Sequence, residues 1–163
     1  MKPADLVRLL RECYDEKRAL MERHEGAARL VRDFDVNNTY QYVIAREEAH
    51  VTWLGEALEG LGTSHPGGTP RAEPAVPRPG AGTATSIFEA DAAEVRAFIE
   101  RWRDRIAAIT HARHQLMLNV ILGETLEHQR FFEQAAAGRT DLLGRRTGGA
   151  SLGGEVLAAR WVE

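Results

Sequence analysis

The chain has 163 residues, of which 44% are apolar and 28% are charged. This length and composition are typical of one globular domain with a full hydrophobic core, and they exclude a disordered chain and a disulfide-stapled miniprotein. The 21 basic and 24 acidic residues give a formal net charge of -3. We therefore expect no large basic surface of the kind that nucleic-acid binding needs.

The sequence indicates a cytoplasmic protein that does not bind membranes. Its apolar runs are far shorter than the roughly 20 residues of a membrane span, and the first five residues lack the apolar core of a signal peptide. Cys13 is the only cysteine, which excludes an intramolecular disulfide and a multi-cysteine zinc site. Any metal ion must therefore be bound by histidines and carboxylates.

Apolar residues at helical spacing predict two amphipathic helices in the first part of the chain. The first is a long helix over residues 4–34. A break at residues 35–38 follows, in which Asn38 is the predicted N-cap of the second helix and Gln41 its capping-box partner. The second helix is expected to run antiparallel to the first and to stop at Gly62.

Residues 62–85 contain five of the six prolines and almost no large apolar side chain, which is typical of a long extended connection. After it, Ser86 and Glu89 form a predicted capping box that opens a third helix. A fourth helix begins around residues 110–113 and stops at Gly138. Residues 139–163 form a glycine-rich tail, which can dock on the bundle, on a partner subunit or on a different protein.

Two helical hairpins joined by a long connection predict an all-α four-helix bundle over residues 1–138. At up to about 3.3 Å per residue, residues 62–85 can return along a helix of about 25 residues, which is roughly 35 Å long. We therefore expect a crossover between helices two and three, which then run parallel. The exposed helix faces and the tail are compatible with a homodimer.

Two pairs of an acid and an imidazole interrupt the apolar faces of helices two and four. Glu47 and His50 lie on one face of helix two, and Glu124 and His128 lie on one face of helix four. A buried carboxylate costs several kcal/mol unless it is paired or bound to a metal ion. Two such pairs on facing helices can reach common ions, and their donor atoms suit iron, manganese or zinc.

With these pairs, residues 4–138 resemble the ferritin-like carboxylate-bridged di-metal proteins, which include rubrerythrins and bacterioferritins. The resemblance rests on four helices, the long crossover, Glu47-x-x-His50 on helix two and Glu124-x-x-x-His128 on helix four. It implies two irons bridged by Glu47 and Glu124, with His50 and His128 each binding one of them. It also implies an oxidoreductase that acts on O2 or peroxide, or a ferroxidase.

The family has a Glu-x-x-His motif on each of helices two and four, and this sequence departs from that pattern on helix four. Thr125 occupies the position three before His128. The carboxylate of helix four must therefore come from Glu124, or Glu127 must take a share.

The family also has one carboxylate on each of helices one and three. On helix one, the inward position nearest the level of Glu47 is His24, and Glu25 lies beside it at the edge of the apolar face. On helix three, Asp91 and Glu94 are both candidates. The candidate metal ligands are Glu47, His50, Glu124, His128, His24, Glu25, Glu127, Asp91 and Glu94.

Two other functions remain open at this point. The first is a single-metal bundle that resembles the DinB-like hydrolases or transferases, with His24, His50 and His128 as ligands and an open position for water. The second is a metal-free helical interaction module whose inward polar residues form a hydrogen-bonded network.

Overall fold

A computed structural model of the protein describes residues 2–63 and 84–144, and these residues form four α-helices. The helices are α1 (Pro3–Ala28), α2 (Phe34–Gly60), α3 (Ala84–Ala107) and α4 (Ala112–Ala136). The prediction of an all-α fold with four helices is confirmed. Most of the predicted connection and residues 145–163 of the predicted tail lie outside the described residues.

The turn between α1 and α2 differs from the prediction, which was wrong in extending the first helix to residue 34 and in making Asn38 the next N-cap. Asp33 is the N-cap, and its carboxylate accepts a hydrogen bond from the backbone N–H of Val36 at 3.0 Å. The Asn37 side-chain amide donates to the carbonyl oxygen of Ala28 at 2.7 Å. Asn37 therefore satisfies a backbone group at the end of α1 from the first turn of α2.

Glycines follow the ends of α2 and α4, as predicted. Gly62 has φ +74° and Gly138 has φ +83°, a left-handed conformation that favours glycine. At the start of α3 the prediction was wrong, because the helix begins at Ala84 and Ser86 lies inside it rather than at its N-cap.

Contacts between α1 and α3 show that these two helices are antiparallel. Arg23, late in α1, donates to Asp91, early in α3, at 2.6 Å. Earlier in α1, Glu16 accepts a hydrogen bond from the Trp102 indole N–H of α3 at 2.9 Å. Because α1 is also antiparallel to α2 across their short turn, α2 and α3 run in the same direction.

Helices α2 and α4 are antiparallel as well. Tyr42 donates to Glu127 at 3.4 Å, and Arg46, one turn later in α2, donates to Glu124, one turn earlier in α4. The end of α2 and the start of α3 consequently lie at opposite ends of the bundle, and residues 61–83 join them.

The core lies along the bundle axis and receives side chains from every helix. Its largest fully buried members are Trp102, Tyr40, Lys17, Phe98, Phe132, Leu10, Leu54, Leu58, Ile106, Leu118, Ile121 and His24. Lys17 is the only one of these with an ammonium group. Within the described residues, no helix combines the length and the apolar character that a membrane crossing requires.

The inward face of α4 is rotated relative to the prediction. Glu127, a candidate ligand, is exposed, as is Val120, and Glu124 is partly exposed. Thr125 points inward instead and is completely buried. Apart from Phe131, the buried positions of α4 follow one uninterrupted helical series, namely His114, Leu118, Ile121, Thr125, His128, Phe132 and Ala135.

Candidate functional site

Five polar side chains meet in the centre of the bundle, and each is completely shielded from solvent. We call them the Glu47 cluster, and its members are Lys17, His24, Glu47, Thr125 and His128. Helix α1 supplies the first two, α2 supplies Glu47, and α4 supplies the last two. All five occupy positions on the apolar face of their helix, which is why packing the helices together also brings these polar groups together.

The carboxylate of Glu47 is the centre of this cluster. The Lys17 ammonium donates to its Oε1 at 3.0 Å and to the Thr125 hydroxyl at 3.3 Å. The His24 ring donates from Nδ1 to Glu47 Oε2 at 2.8 Å. His128 Nδ1 lies 3.8 Å from Oε1, which is too far for a hydrogen bond.

These neighbours keep Glu47 ionised inside the core. Burial acts to raise the pKa of Glu47, but the charges of His24 and Lys17 lower that pKa well below its ordinary value. Lys17 and Glu47 therefore form a buried ion pair. Such a pair contributes little net stability, yet removing one partner leaves the other as a costly uncompensated charge.

A second group of polar residues lies between the Glu47 cluster and the surface. Arg46 donates two hydrogen bonds to the Glu124 carboxylate, at 2.9 and 2.6 Å, and the His50 ring donates from Nε2 to the same carboxylate at 2.7 Å. The Glu124 side chain is 25% exposed, whereas that of His50 is completely buried. The ring centroids of His50 and His128 are 6.1 Å apart, so His50 connects Glu124 to the cluster.

Both of these imidazoles are held in the neutral form at pH 7. Burial and the nearby charge of Lys17 lower the pKa of His50 from 6.5 to about 4. Burial also lowers the pKa of His128. A neutral imidazole is the form of histidine that binds a metal ion.

Several buried ring nitrogens have no hydrogen-bond partner. In the described part of the chain these include His24 Nε2, His50 Nδ1 and both ring nitrogens of His128. An unsatisfied buried polar group costs roughly 1–3 kcal/mol, so native proteins rarely retain several of them at one place. Ordered water can satisfy such ring nitrogens, and so can a metal ion bound beside the carboxylate.

Asp91 is buried as expected but is engaged elsewhere. The Tyr40 hydroxyl donates to one of its carboxylate oxygens at 2.5 Å, and Arg23 donates to the other at 2.6 Å. Asp91 therefore balances a cation and stabilises the contact of α3 with α1 and α2. The sequence pattern had no means of indicating this, because both partners lie on other helices.

Three further predicted ligands lie away from the cluster. Glu94 and Glu127 are exposed, and the Tyr42 hydroxyl donates to Glu127 at 3.4 Å. Glu25 is half-buried and lines a surface depression with Ala28, Arg29, Gln41 and Ile44.

The sequence analysis missed Lys17, although a signal for it exists. Lys17 is one of only two lysines, and it continues the inward series of α1 between Cys13 and Leu20. A lysine at such a position is unusual, because lysine is almost never completely buried unless it is paired. Its position on the apolar face could have indicated a buried carboxylate partner.

As they stand, no three His, Cys, Asp or Glu side chains within residues 2–63 and 84–144 are placed to hold one ion. Lys17 is paired with Glu47, and Arg46 is paired with Glu124. The 3.8 Å between His128 Nδ1 and Glu47 Oε1 nevertheless falls in the range of about 3–4 Å expected for two donors bound to one ion at about 2.1 Å each. The donor chemistry thus fits a transition metal, and a third ligand requires a side-chain rotation.

Comparisons of this chain with known protein families, with curated proteins and with solved structures found no match.

Proposed function

We propose that the chain is a ferritin-like metal-binding protein whose ion is bound by Glu47, His50 and His128. The observation that carries this proposal is the group of unsatisfied ring nitrogens buried around an ionised carboxylate. Two imidazoles and one carboxylate, with positions left open, suit iron, and manganese or zinc accept the same donors. A bound ion of this kind would supply Lewis-acid chemistry and, in the case of iron or manganese, redox chemistry.

The protein's own residues would hold these ligands in place. The His50 ring donates from Nε2 to Glu124, which leaves its Nδ1 lone pair directed away from that carboxylate. Metal-binding histidines commonly have such a carboxylate partner, which fixes the orientation of the ring. His24 orients Glu47 in the same way from the opposite side.

The arrangement of the helices supports the ferritin-like assignment. Two antiparallel hairpins, with α2 and α3 parallel and a long connection between them, correspond to a bundle with one crossover. In such bundles, side chains on facing helices build metal sites inside the core.

The number of ions is the point at which this proposal departs from the sequence-based expectation. A two-iron centre, with O2, peroxide or ferroxidase chemistry, needs carboxylates that bridge both ions. Here Lys17 holds Glu47 and Arg46 holds Glu124, while Asp91 is engaged by Tyr40 and by an arginine. We therefore propose one ion per chain.

Elemental analysis of protein purified from iron-supplemented cells tests the proposal. The account predicts about one transition-metal ion per chain, because structural and catalytic sites of this donor type bind tightly at neutral pH. Glu47→Gln should lose most of this metal, whereas Glu48→Gln, an exposed neighbour on the same helix, should retain it. Trace metal in the wild-type protein, or equal metal in both variants, would contradict the proposal.

A single-metal site of three histidines is favoured by one specific observation. His24, like His50 and His128, is completely buried and has an unsatisfied ring nitrogen, His24 Nε2. The variant His24→Ala distinguishes the three-histidine site from the site formed by Glu47, His50 and His128. The three-histidine site predicts loss of the ion, whereas our proposal predicts that the ion is retained with weaker affinity.

A metal-free interaction module is favoured by the buried Lys17–Glu47 pair, because the ammonium already neutralises the carboxylate. Removing metal with a chelator distinguishes this function from metal binding. A bound ion raises the melting temperature by linkage, so the chelator should lower it. An unchanged melting temperature in protein of known metal content would favour the metal-free module.

A further inference from the structure

The Lys17 ammonium occupies a cation position at the centre of the proposed metal site. It is completely buried and donates to Glu47 at 3.0 Å and to Thr125 at 3.3 Å. It also lies 5.3 Å from the ring centroid of Phe98. Each of these contacts stabilises a positive charge, and together they place that charge on the carboxylate that a metal ion would need.

The Glu47 carboxylate already has a cation as its partner. The Lys17 ammonium lies 3.0 Å from Glu47 Oε1, and both side chains are completely buried. A divalent ion would bring two further positive charges into a region from which water is excluded. It must compete with the ammonium for the same oxygen, Glu47 Oε1, and the two cations repel each other strongly at short distance.

We infer that Lys17 is a built-in competitor for Glu47 that sets the metal affinity of the site. Metal binding displaces the ammonium from Glu47 Oε1, and the affinity of the site is reduced by the strength of the ion pair that must be broken. This inference rests on the proposed function, because it assumes that an ion binds at Glu47. It adds a residue that determines affinity and is not itself a ligand.

Calorimetric titration of the metal-stripped full-length protein with Zn²⁺ tests this role without any activity assay. Lys17→Met removes the ammonium and keeps an unbranched side chain of similar length. Because it removes a like charge close to the ion, we expect Zn²⁺ to bind at least about tenfold more tightly than to the wild type. Lys2→Met, at the other lysine of the chain, is the matched control and should leave the affinity unchanged, since Lys2 is exposed.

Lys17→Met leaves Glu47 as an unpaired buried charge, which can prevent folding. A second variant therefore tests the same inference. Lys17→Gln removes the charge but retains an amide that can donate to Glu47, and it should also bind Zn²⁺ more tightly. If Lys17→Met is unfolded without metal, added Zn²⁺ should restore its helical circular dichroism. Failure of Zn²⁺ to do so would count against the inference.

The outcomes separate this inference from the proposed function. If the wild type binds Zn²⁺ and both Lys17 variants bind it with equal or lower affinity than the wild type, the inference is overturned. The proposed metal site is not contradicted by that result. If neither the wild type nor any variant binds Zn²⁺, the proposed function itself is overturned.

Discussion

The buried Lys17–Glu47 pair predicts a large coupling between the two residues in the stability of the metal-free protein. Lys17→Met leaves a buried carboxylate without its cation, and Glu47→Met leaves a buried ammonium without its anion. Breaking a buried pair from one side costs about 3–5 kcal/mol. Glu47→Met also deprives His24 Nδ1 of its acceptor, which adds about 1–3 kcal/mol.

The double variant should be far more stable than these two losses together suggest. Replacing both charges by apolar groups of similar volume is often neutral or even stabilising by about 1–4 kcal/mol. The remaining penalty is then mainly that of His24, about 1–3 kcal/mol. The double-mutant cycle should consequently give a coupling energy of at least about 3 kcal/mol.

Urea unfolding at pH 7 in the presence of a chelator, followed by circular dichroism, gives the four free energies of unfolding that the cycle requires. The control is the exposed ion pair of Arg96 and Glu133. Its Arg96 Nη2 and Glu133 Oε1 atoms are 2.6 Å apart, and the two side chains are 52% and 40% exposed. Its coupling should be below about 1 kcal/mol. A coupling for Lys17 and Glu47 as small as that of this surface pair would refute the reasoning.

Three further predictions concern the metal-free protein. The pKa of His50 is about 4 in the folded state against an ordinary 6.5, so the unfolded chain binds the proton first. The free energy of unfolding should fall by about 3 kcal/mol between pH 7 and pH 4 on account of His50, and His50→Gln should reduce this fall. Asp33→Ala should lower stability by about 1 kcal/mol. Asn38→Ala should change it by less than about 0.5 kcal/mol; equal effects of the two would contradict the assigned cap.

The four helices were predictable because their apolar periodicity is long and regular, whereas the turn between α1 and α2 was not. Asp33, Asn37 and Asn38 all have side chains that cap helices well, so local sequence allows more than one helix start. The structure selects Asp33 because Asn37 is then placed to reach the carbonyl oxygen of Ala28. That selection depends on how α1 packs against α2.

Part of the site was predictable for a related reason. Glu47, His50 and His128 interrupt apolar faces, and all three are completely buried. Helix α4 misled the prediction because Val120, Ile121 and Leu122 are consecutive apolar residues, which do not define one inward direction. Only packing against the other helices fixes the rotation of α4.

Lys17 and the partners of Asp91 were not predicted. Lysine is normally a surface residue, which is why Lys17 was overlooked although its position on the apolar face of α1 is visible in the sequence. The pairing of Asp91 with Arg23 and Tyr40 joins three helices and has no local signature. Both features decide which carboxylates remain free to bind an ion.

Anomalous diffraction is the most direct test of a metal ion at Glu47, His50 and His128. Crystals of protein purified from iron-supplemented cells should be measured on both sides of the iron absorption edge. The account predicts one strong anomalous peak between α2 and α4, within bonding distance of His128. A map without a peak beside His128, from crystals in which the sulfur atoms of the methionines are visible, would contradict it.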